Sequence, residues 1–314
     1  MVVGRLAPTP SGHLHLGNAC AFAAAWLSAR ARAGRVLLRI EDIDRERSRA
    51  EVEQGQRRDL AWLGLDWDEE TPRQSERDYD DALARLGARG MTYFCQCTRA
   101  DLRRSGGVYP GTCRDRGLAE GALRFRLDDA QQVLVRDRRF GERSERPASF
   151  GDPVLRRRDG TISYNLAVVV DDIRDGVTEV VRGADLLGFT SVQIVLWRAL
   201  DAPEPTWMHA PLVLGPADAA GARSKLSKSH GSMHLAAMRD AGWQPADVWR
   251  LVLPWIGVPN TDSLGDAIAK FAADGGSAAR GFDPQRGPRG PIELDYDQSV
   301  ACPAPGSVVW RTSA

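Results

Sequence analysis

Residues 4–18 read GRLAPTPSGHLHLGN. The run from Val2 to Leu6 enters this stretch as a short buried strand. Pro8-Thr9-Pro10-Ser11-Gly12 closes it in a turn, since proline fixes φ and glycine reaches conformations denied to other residues. After Gly17, Asn18 is expected as the N-cap of an Ala-rich helix running to about Ala33. Gly34 stops that helix, and Val36 to Ile40 forms a second apolar strand. Strand, glycine-bearing turn, helix, strand is the first unit of a doubly wound, Rossmann-like parallel sheet, so the fold class is α/β.

Working outward, a second helix is expected from about Ala50 to Leu63. Residues 1–70 then form the first half of a catalytic domain. From 71 to 160 the pattern loosens into GG and PG turns, a cysteine cluster, and strand-like pieces at Ala122–Leu127 and Val133–Arg136. This is an insertion that splits the sheet. Regularity returns over 161–270 with the apolar run Leu166–Val170, a strand at Val177–Val181 and a helix at Ser191–Leu200. A strand at Trp207–Leu214 and a closing helix at Pro245–Ile256 complete that half. Residues 271–314 open on a Gly-, Pro- and Arg-rich run without periodicity and are expected to be a flexible tail with no regular element.

The 314 residues carry 42 basic and 42 acidic side chains and a formal net charge of zero, so any surface for nucleic acid must be local. Hydrophobic content of 43% and charged content of 27% suit a globular core. The start of the chain shows no charged-then-apolar leader, and no apolar run approaches the roughly 18 residues that span a bilayer. A cytoplasmic protein is expected, with no membrane partner. Of the 42 basic residues three are lysines, Lys225, Lys228 and Lys270. Two of these stand in SKLSKS (224–229), where a compact, mobile ammonium is required and a planar guanidinium would not substitute.

Three constellations carry chemistry. In the opening stretch, a turn feeding a helix presents backbone N–H groups and a positive helix end to phosphates. Gly17 lets a nucleotide approach the backbone, and His15 can donate to charge developing on an α-phosphate. RIEDID (39–44) ends the second strand, where ligands of open α/β sheets bind, so Glu41 is placed to meet an ammonium. Asp42 and Asp44 read rather as a solvated acidic loop. In SKLSKS, Lys225 and Lys228 reach pyrophosphate oxygens as point charges.

Taken in order, these motifs resemble the class I aminoacyl-tRNA synthetases. HLGN (15–18) is similar to their HIGH signature and KLSKS (225–229) to their KMSKS loop, with Asn18 in place of the final His and Leu226 in place of Met, a nearly volume-conserving change. The flanks, together with SYNLAVVVDD (163–172) and GVTEVVRGADLL (176–187), resemble the glutamate-specific branch over residues 3–256. The resemblance implies that His15, Gly17, Asn18, Lys225 and Lys228 bind ATP, with His15 and Lys228 catalytic. It implies that Arg5, Ala7, Thr9, Glu41, Tyr164 and Arg182 bind glutamate. A dicarboxylate with one ammonium wants two cations and one anion, and Arg5, Arg182 and Glu41 supply them; which arginine meets which carboxylate stays open.

Cys95, Cys97, Tyr109 and Cys113 make a C-x-C-x11-Y-x3-C pattern. Three thiolates bind zinc strongly, and a C-x-C turn offers two sulfurs to a tetrahedral ion. A phenol with an ordinary pKa of about 10 is an unusual ligand, so chemistry alone leaves the fourth position open. The spacing resembles that of the queuosine-modifying subfamily of glutamyl synthetases, which implies Tyr109 as fourth ligand of one structural zinc. It also implies the reaction: ATP, with magnesium, activates L-glutamate, and the glutamyl group passes to queuosine in the anticodon of tRNA(Asp). Fewer than a hundred residues follow the lysine loop, too few for the large helical anticodon-binding region of an ordinary glutamyl-tRNA synthetase. A monomeric ligase is expected. The rivals are a glutamyl-tRNA synthetase charging a tRNA acceptor end and a non-catalytic RNA- or amino-acid-binding relative.

Overall fold

The computed structural model describes residues 1–218, 220–226, 233–273, 291–296 and 302–312, with the side chains of 271–273 left aside. Lys228, with the rest of 227–232, lies outside the described residues.

β1 (Val3–Leu6), α1 (Leu16–Arg30) and β2 (Arg35–Leu38) follow the expected strand–helix–strand order. β1 and β2 pair in parallel, Gly4 opposite Val36 and Leu6 opposite Leu38. α2 (Ala50–Trp62) leads to β3 (Glu69–Glu70), which extends the ladder in parallel on β2. Along β2 the side chains alternate between two cores, as a strand of period two requires. Val36 and Leu38 join a cluster with α1, and Leu37 joins the other.

The helix starts earlier than expected. His15, not Asn18, is the N-cap: its Nδ1 accepts from the Gly17 amide at 3.1 Å, and Asn18 Oδ1 accepts from the His15 amide at 3.0 Å. Asn18 is thus the returning member of a capping box, a pairing that satisfies two orphan amides at once.

α3 (Asp80–Ala88), β4 (Thr92–Cys95), α4 (Arg99–Arg104) and β5 (Ala122–Phe125) build the middle of the chain. β6 (Val133–Asp137) and β7 (Gly141–Glu145) form a hairpin, and β8 (Val154–Arg156) joins β4 and β5 in an antiparallel sheet of order β4-β5-β8. α5 (Tyr164–Arg174), β9 (Glu179–Gly183), α6 (Thr190–Ala199) and β10 (Thr206–Ala210) follow. β9, β10 and β6 run parallel in a second ladder that antiparallel β7 closes, so a strand from within 71–160 enters this sheet. The two ladders meet where the Thr178 amide donates to the Val3 carbonyl at 3.0 Å and the Val3 amide donates to Thr178 Oγ1 at 2.9 Å.

The strand expected over Trp207–Leu214 is broken in two by Pro211, which has no N–H to give a ladder. Its second part is β11 (Val213–Leu214). α7 (Leu235–Asp240), α8 (Pro245–Trp255) and α9 (Leu264–Ala273) pack on the α1 side of the sheet or continue from it. The expectation of no regular element beyond residue 271 is corrected: β12 (Ile292–Asp295) pairs parallel with β11 and antiparallel with β13 (Val309–Thr312). Ile292 and Leu294 are fully buried in the α1 core, which explains why so short a pair forms. No described helix is long and apolar enough to cross a membrane.

Candidate active site and metal centre

A cleft of about 380 Å³ opens at the carboxyl ends of β1, β2 and β9. Arg5, Ala7, Thr9, Glu41, Tyr164 and Arg182 line it, and so do His15, Gly17, Asn18 and Lys225. Every expected ATP- or glutamate-binding residue except Lys228 therefore faces one cavity, although some are separated by more than 200 positions in the chain.

Its cationic wall is held from behind. Arg5 Nε bonds Asp172 Oδ1 at 3.0 Å and its guanidinium also donates to the Val181 carbonyl at 3.0 Å. Arg39, fully buried, reaches Asp172 Oδ1 at 2.7 Å, Asp175 Oδ2 at 3.2 Å and Glu41 Oε1 at 3.1 Å. Burial pushes the Asp172 carboxyl up, but Arg39 and Arg5 outweigh it and hold the group below the usual carboxylate range. For Glu41 the balance goes the other way: burial raises it in spite of Arg39 and Arg5. A ligand ammonium would supply the missing positive charge and favour the ionised form.

Arg182 is fixed on three sides. Nε donates to His209 Nε2 at 3.0 Å, and the terminal nitrogens donate to Gln193 Oε1 at 2.6 Å and Thr190 Oγ1 at 3.0 Å. His209 Nδ1 lies 2.6 Å from Asp137 Oδ2, with both side chains fully buried. Tyr164 caps the same region, and its phenol is pushed up by burial and by the charge of Glu41. Arg39, Asp172, Gln193 and His209 were not singled out from the sequence, although Arg39 and Asp172 sit within the quoted blocks RIEDID and SYNLAVVVDD.

At the phosphate end, the His15 ring uses Nδ1 to cap its own helix, which leaves the neutral ring's proton on Nε2. Gly17 has a reason beyond ligand approach: a Cβ there would lie 2.9 Å from His15 Cε1 and 3.0 Å from Nδ1. Lys225 Nζ is tied to Asp185 Oδ2 at 2.5 Å across the cleft mouth.

The cysteine cluster forms apart from this cleft. The sulfurs of Cys95, Cys97 and Cys113 all lie within 4.8 Å of one another, close enough for one ion. Cys97 Sγ and Cys113 Sγ are 3.7 Å apart. The Tyr109 hydroxyl accepts from the Cys113 amide at 2.8 Å, which places its oxygen beside the thiols. Burial and the neighbouring sulfurs push Cys97 up to about 12, while, against burial, hydrogen bonds from the Gln96 backbone and the neighbouring groups lower Cys113 to about 7. One thiolate therefore forms readily here, and a cation would favour a second beside it. A Cβ on Gly121, whose φ is +136°, would lie 2.5 Å from the Cys95 carbonyl oxygen, so glycine permits the close approach of chain behind the cluster.

Comparisons with known proteins agree with this geometry. The family model for the catalytic domain of class I tRNA synthetases (E and Q) matches residues 1–108 and 113–258. The Glutamyl-Q tRNA(Asp) synthetase of Symbiobacterium thermophilum is 47% identical over 278 residues, covering 79% of this chain and 84% of that protein. A glutamate–tRNA ligase of Oleidesulfovibrio alaskensis is 39% identical; the alignment covers 91% of this chain but 64% of the ligase. Among solved structures, the glutamate-tRNA synthetase of Elizabethkingia anophelis superposes with a TM-score of 0.75 at 23% identity, over 95% of this chain and 69% of that one, a likeness of fold. The chain belongs to the class I tRNA synthetases of the glutamyl and glutaminyl (E and Q) type.

Proposed function

We propose that the chain activates L-glutamate with ATP and transfers the glutamyl group to queuosine of tRNA(Asp). In this reading the two parallel ladders act as one doubly wound sheet, with residues 1–70 and 161–270 as the catalytic unit, joined by the β6–β7 hairpin from within the intervening 71–160. The observation that carries it is the one cleft that Arg5, Arg182 and Glu41 line together with His15, Gly17 and Lys225.

In the first step an oxygen of the α-carboxylate attacks the α-phosphorus of ATP, forming glutamyl-adenylate and releasing pyrophosphate. Arg5 and Arg182 hold the two carboxylates and Glu41 the ammonium, with Ala7, Thr9 and Tyr164 closing the pocket around the side chain. His15 donates from Nε2 to the phosphate, Asn18 keeps His15 in register, and Lys225 with Lys228 draws the charge of the leaving pyrophosphate. Magnesium accompanies the ATP phosphates. In the second step a hydroxyl of queuosine attacks the acyl carbon and AMP leaves. Cys95, Cys97 and Cys113, with the Tyr109 oxygen as fourth donor, fit one zinc, which would supply folding free energy to a segment with little apolar material.

The queuosine acceptor is favoured over the tRNA 3′ end because the relative named Glutamyl-Q tRNA(Asp) synthetase is matched over most of its length. The glutamate–tRNA ligase extends well beyond the match. The test is transfer of labelled glutamate to total tRNA from cells able or unable to make queuosine. Label confined to the queuosine-containing pool is expected; equal label in both restores the acceptor-end reading. Glutamate-dependent ATP–pyrophosphate exchange without tRNA separates an enzyme from a non-catalytic relative, and Lys228→Ala is expected to lower it by roughly 10²-fold.

A further inference from the structure

A second cleft, of about 390 Å³, adjoins the first through Tyr164, which lines both. Its other walls come from the metal-bearing loop (Gly107, Tyr109), from Phe150 and Phe189, and from Asn165 and Arg157. Among the described residues Phe150 and Phe189 are the exposed aromatic side chains, at 41% and 43% exposure. They come from different elements, the short helical turns Pro147–Phe150 and Ala184–Phe189, yet their ring centroids are 6.1 Å apart. Two phenylalanines held together in water, in a cavity beside a reaction site, lose hydrophobic stabilisation that core packing would provide. A planar, weakly polar ligand would recover it.

The polar groups around the rings suit the edge and backbone of a nucleotide. Asn165 Oδ1 accepts from Gln193 Nε2 at 3.0 Å, so its amide N–H2 is the side left to donate to a base. Gln193 in turn accepts from Arg182 at 2.6 Å, which links this edge to the glutamate pocket by two hydrogen bonds. Arg157 is exposed in a tight turn, its amide bonded to the Thr161 carbonyl at 2.8 Å, and is followed by exposed Arg158. These cations favour a phosphate backbone over an apolar peptide.

We infer that this cleft is a nucleobase site, in which one unpaired base of the acceptor RNA stacks on Phe150 and Phe189, is bonded at its edge by Asn165 and has its phosphate near Arg157. The inference rests on the RNA-acceptor reading above and adds where a base beside the reacting one is held. Stacking on aromatic faces is sequence-tolerant, so the site positions the RNA and leaves selection to the reacting nucleotide.

The test uses the full chain and an anticodon stem-loop RNA whose loop nucleotides are made abasic one at a time, with Kd measured at fixed salt. At one loop position, loss of the base should weaken binding to the wild-type chain roughly tenfold. Phe150→Ala and Phe189→Ala should each weaken the intact RNA similarly and show no further loss at that position, whereas Phe150→Trp should retain the base dependence. Losses that add at every position, or a wild-type chain indifferent to every abasic substitution, would overturn the site. The same holds if Phe150→Trp binds as poorly as Phe150→Ala. A wild-type chain that labels only queuosine-containing tRNA while failing the abasic test removes the stacking site and leaves the acceptor assignment standing. Equal labelling of both pools with a positive abasic test does the reverse.

Discussion

Arg182 donates through Nε to His209 Nε2 at 3.0 Å, so the imidazole is an acceptor on that side and carries its proton on Nδ1, facing Asp137 at 2.6 Å. The guanidinium at the glutamate pocket is thereby oriented by a neutral histidine. Burial, helped by the charge of Arg182, lowers His209 from its ordinary value to about 4, against the pull of Asp137.

This has a definite sign. An unfolded chain protonates this histidine near its ordinary pKa of about 6.5, while the folded chain resists until about 4. Between those values the unfolded state binds more protons, so stability rises with pH and is lost as pH falls from about 6.5 towards 4, by up to about 1.4 kcal/mol per unit from this one group. Denaturant titrations across that window should show the slope, and His209→Gln should flatten it. An identical slope in the variant would contradict the assignment.

Asp172 is a positioning residue for Arg5 and Arg39, which both rest on its Oδ1. Asp172→Asn removes the charge that offsets two buried guanidiniums, at a cost to stability on the order of 3 kcal/mol. Where the protein still folds, Arg5 should drift and the KM for glutamate in pyrophosphate exchange should rise about tenfold, with a smaller change in kcat and in the KM for ATP. An unchanged glutamate KM would show that Arg5 is held well enough by Val181.

Gly17→Ala is expected to act through His15. Because the new Cβ would come within 3.0 Å of the ring, the imidazole must turn away from its cap. Exchange should fall by roughly 10²-fold, while a cap of this kind contributes only about 1 kcal/mol to folding. A variant with full activity would remove both the ring geometry and its role.

Metal analysis of the purified protein should give about one zinc per chain, lost in Cys113→Ser. Tyr109→Phe deletes the hydroxyl that accepts from the Cys113 amide, and should weaken zinc retention against a chelator by roughly 10- to 100-fold. Zinc held as firmly in that variant would strike tyrosine from the ligand set.

Local sequence was informative where chemistry is written in contiguous blocks. GRLAPTPSGHLHLGN, RIEDID and the cysteine spacing named residues that gather in one cleft and one cluster. What supports them was harder to read. Asp137 and His209 are 72 positions apart, and neither has a local pattern that announces a buried pair. His15 is a poor N-cap by propensity, and it caps here because its Nδ1 turns back onto Gly17, which a propensity ranking does not see. The strands after residue 290 are four residues long and follow a Gly/Pro/Arg-rich run, so neither length nor periodicity marked them. Burial of Ile292 and Leu294 in the α1 core holds β12, and the largely exposed β13 is held by pairing with it.

That same run is where a protein engineer would cut the chain to remove an unpromising end. The cut would strip β12 from β11, leaving the Leu212 carbonyl without the Ile292 amide that meets it at 2.7 Å, and would uncover the apolar seats of Ile292 and Leu294. An unpaired strand edge beside a newly bared apolar surface invites another molecule to add its own strand. Here Leu214 belongs to that edge, where it pairs with Glu293, and itself makes the bridge to Lys225 at the root of the lysine loop. A trimmed protein should therefore self-associate through its ATP side, and its low activity would be mistaken for a missing catalytic group.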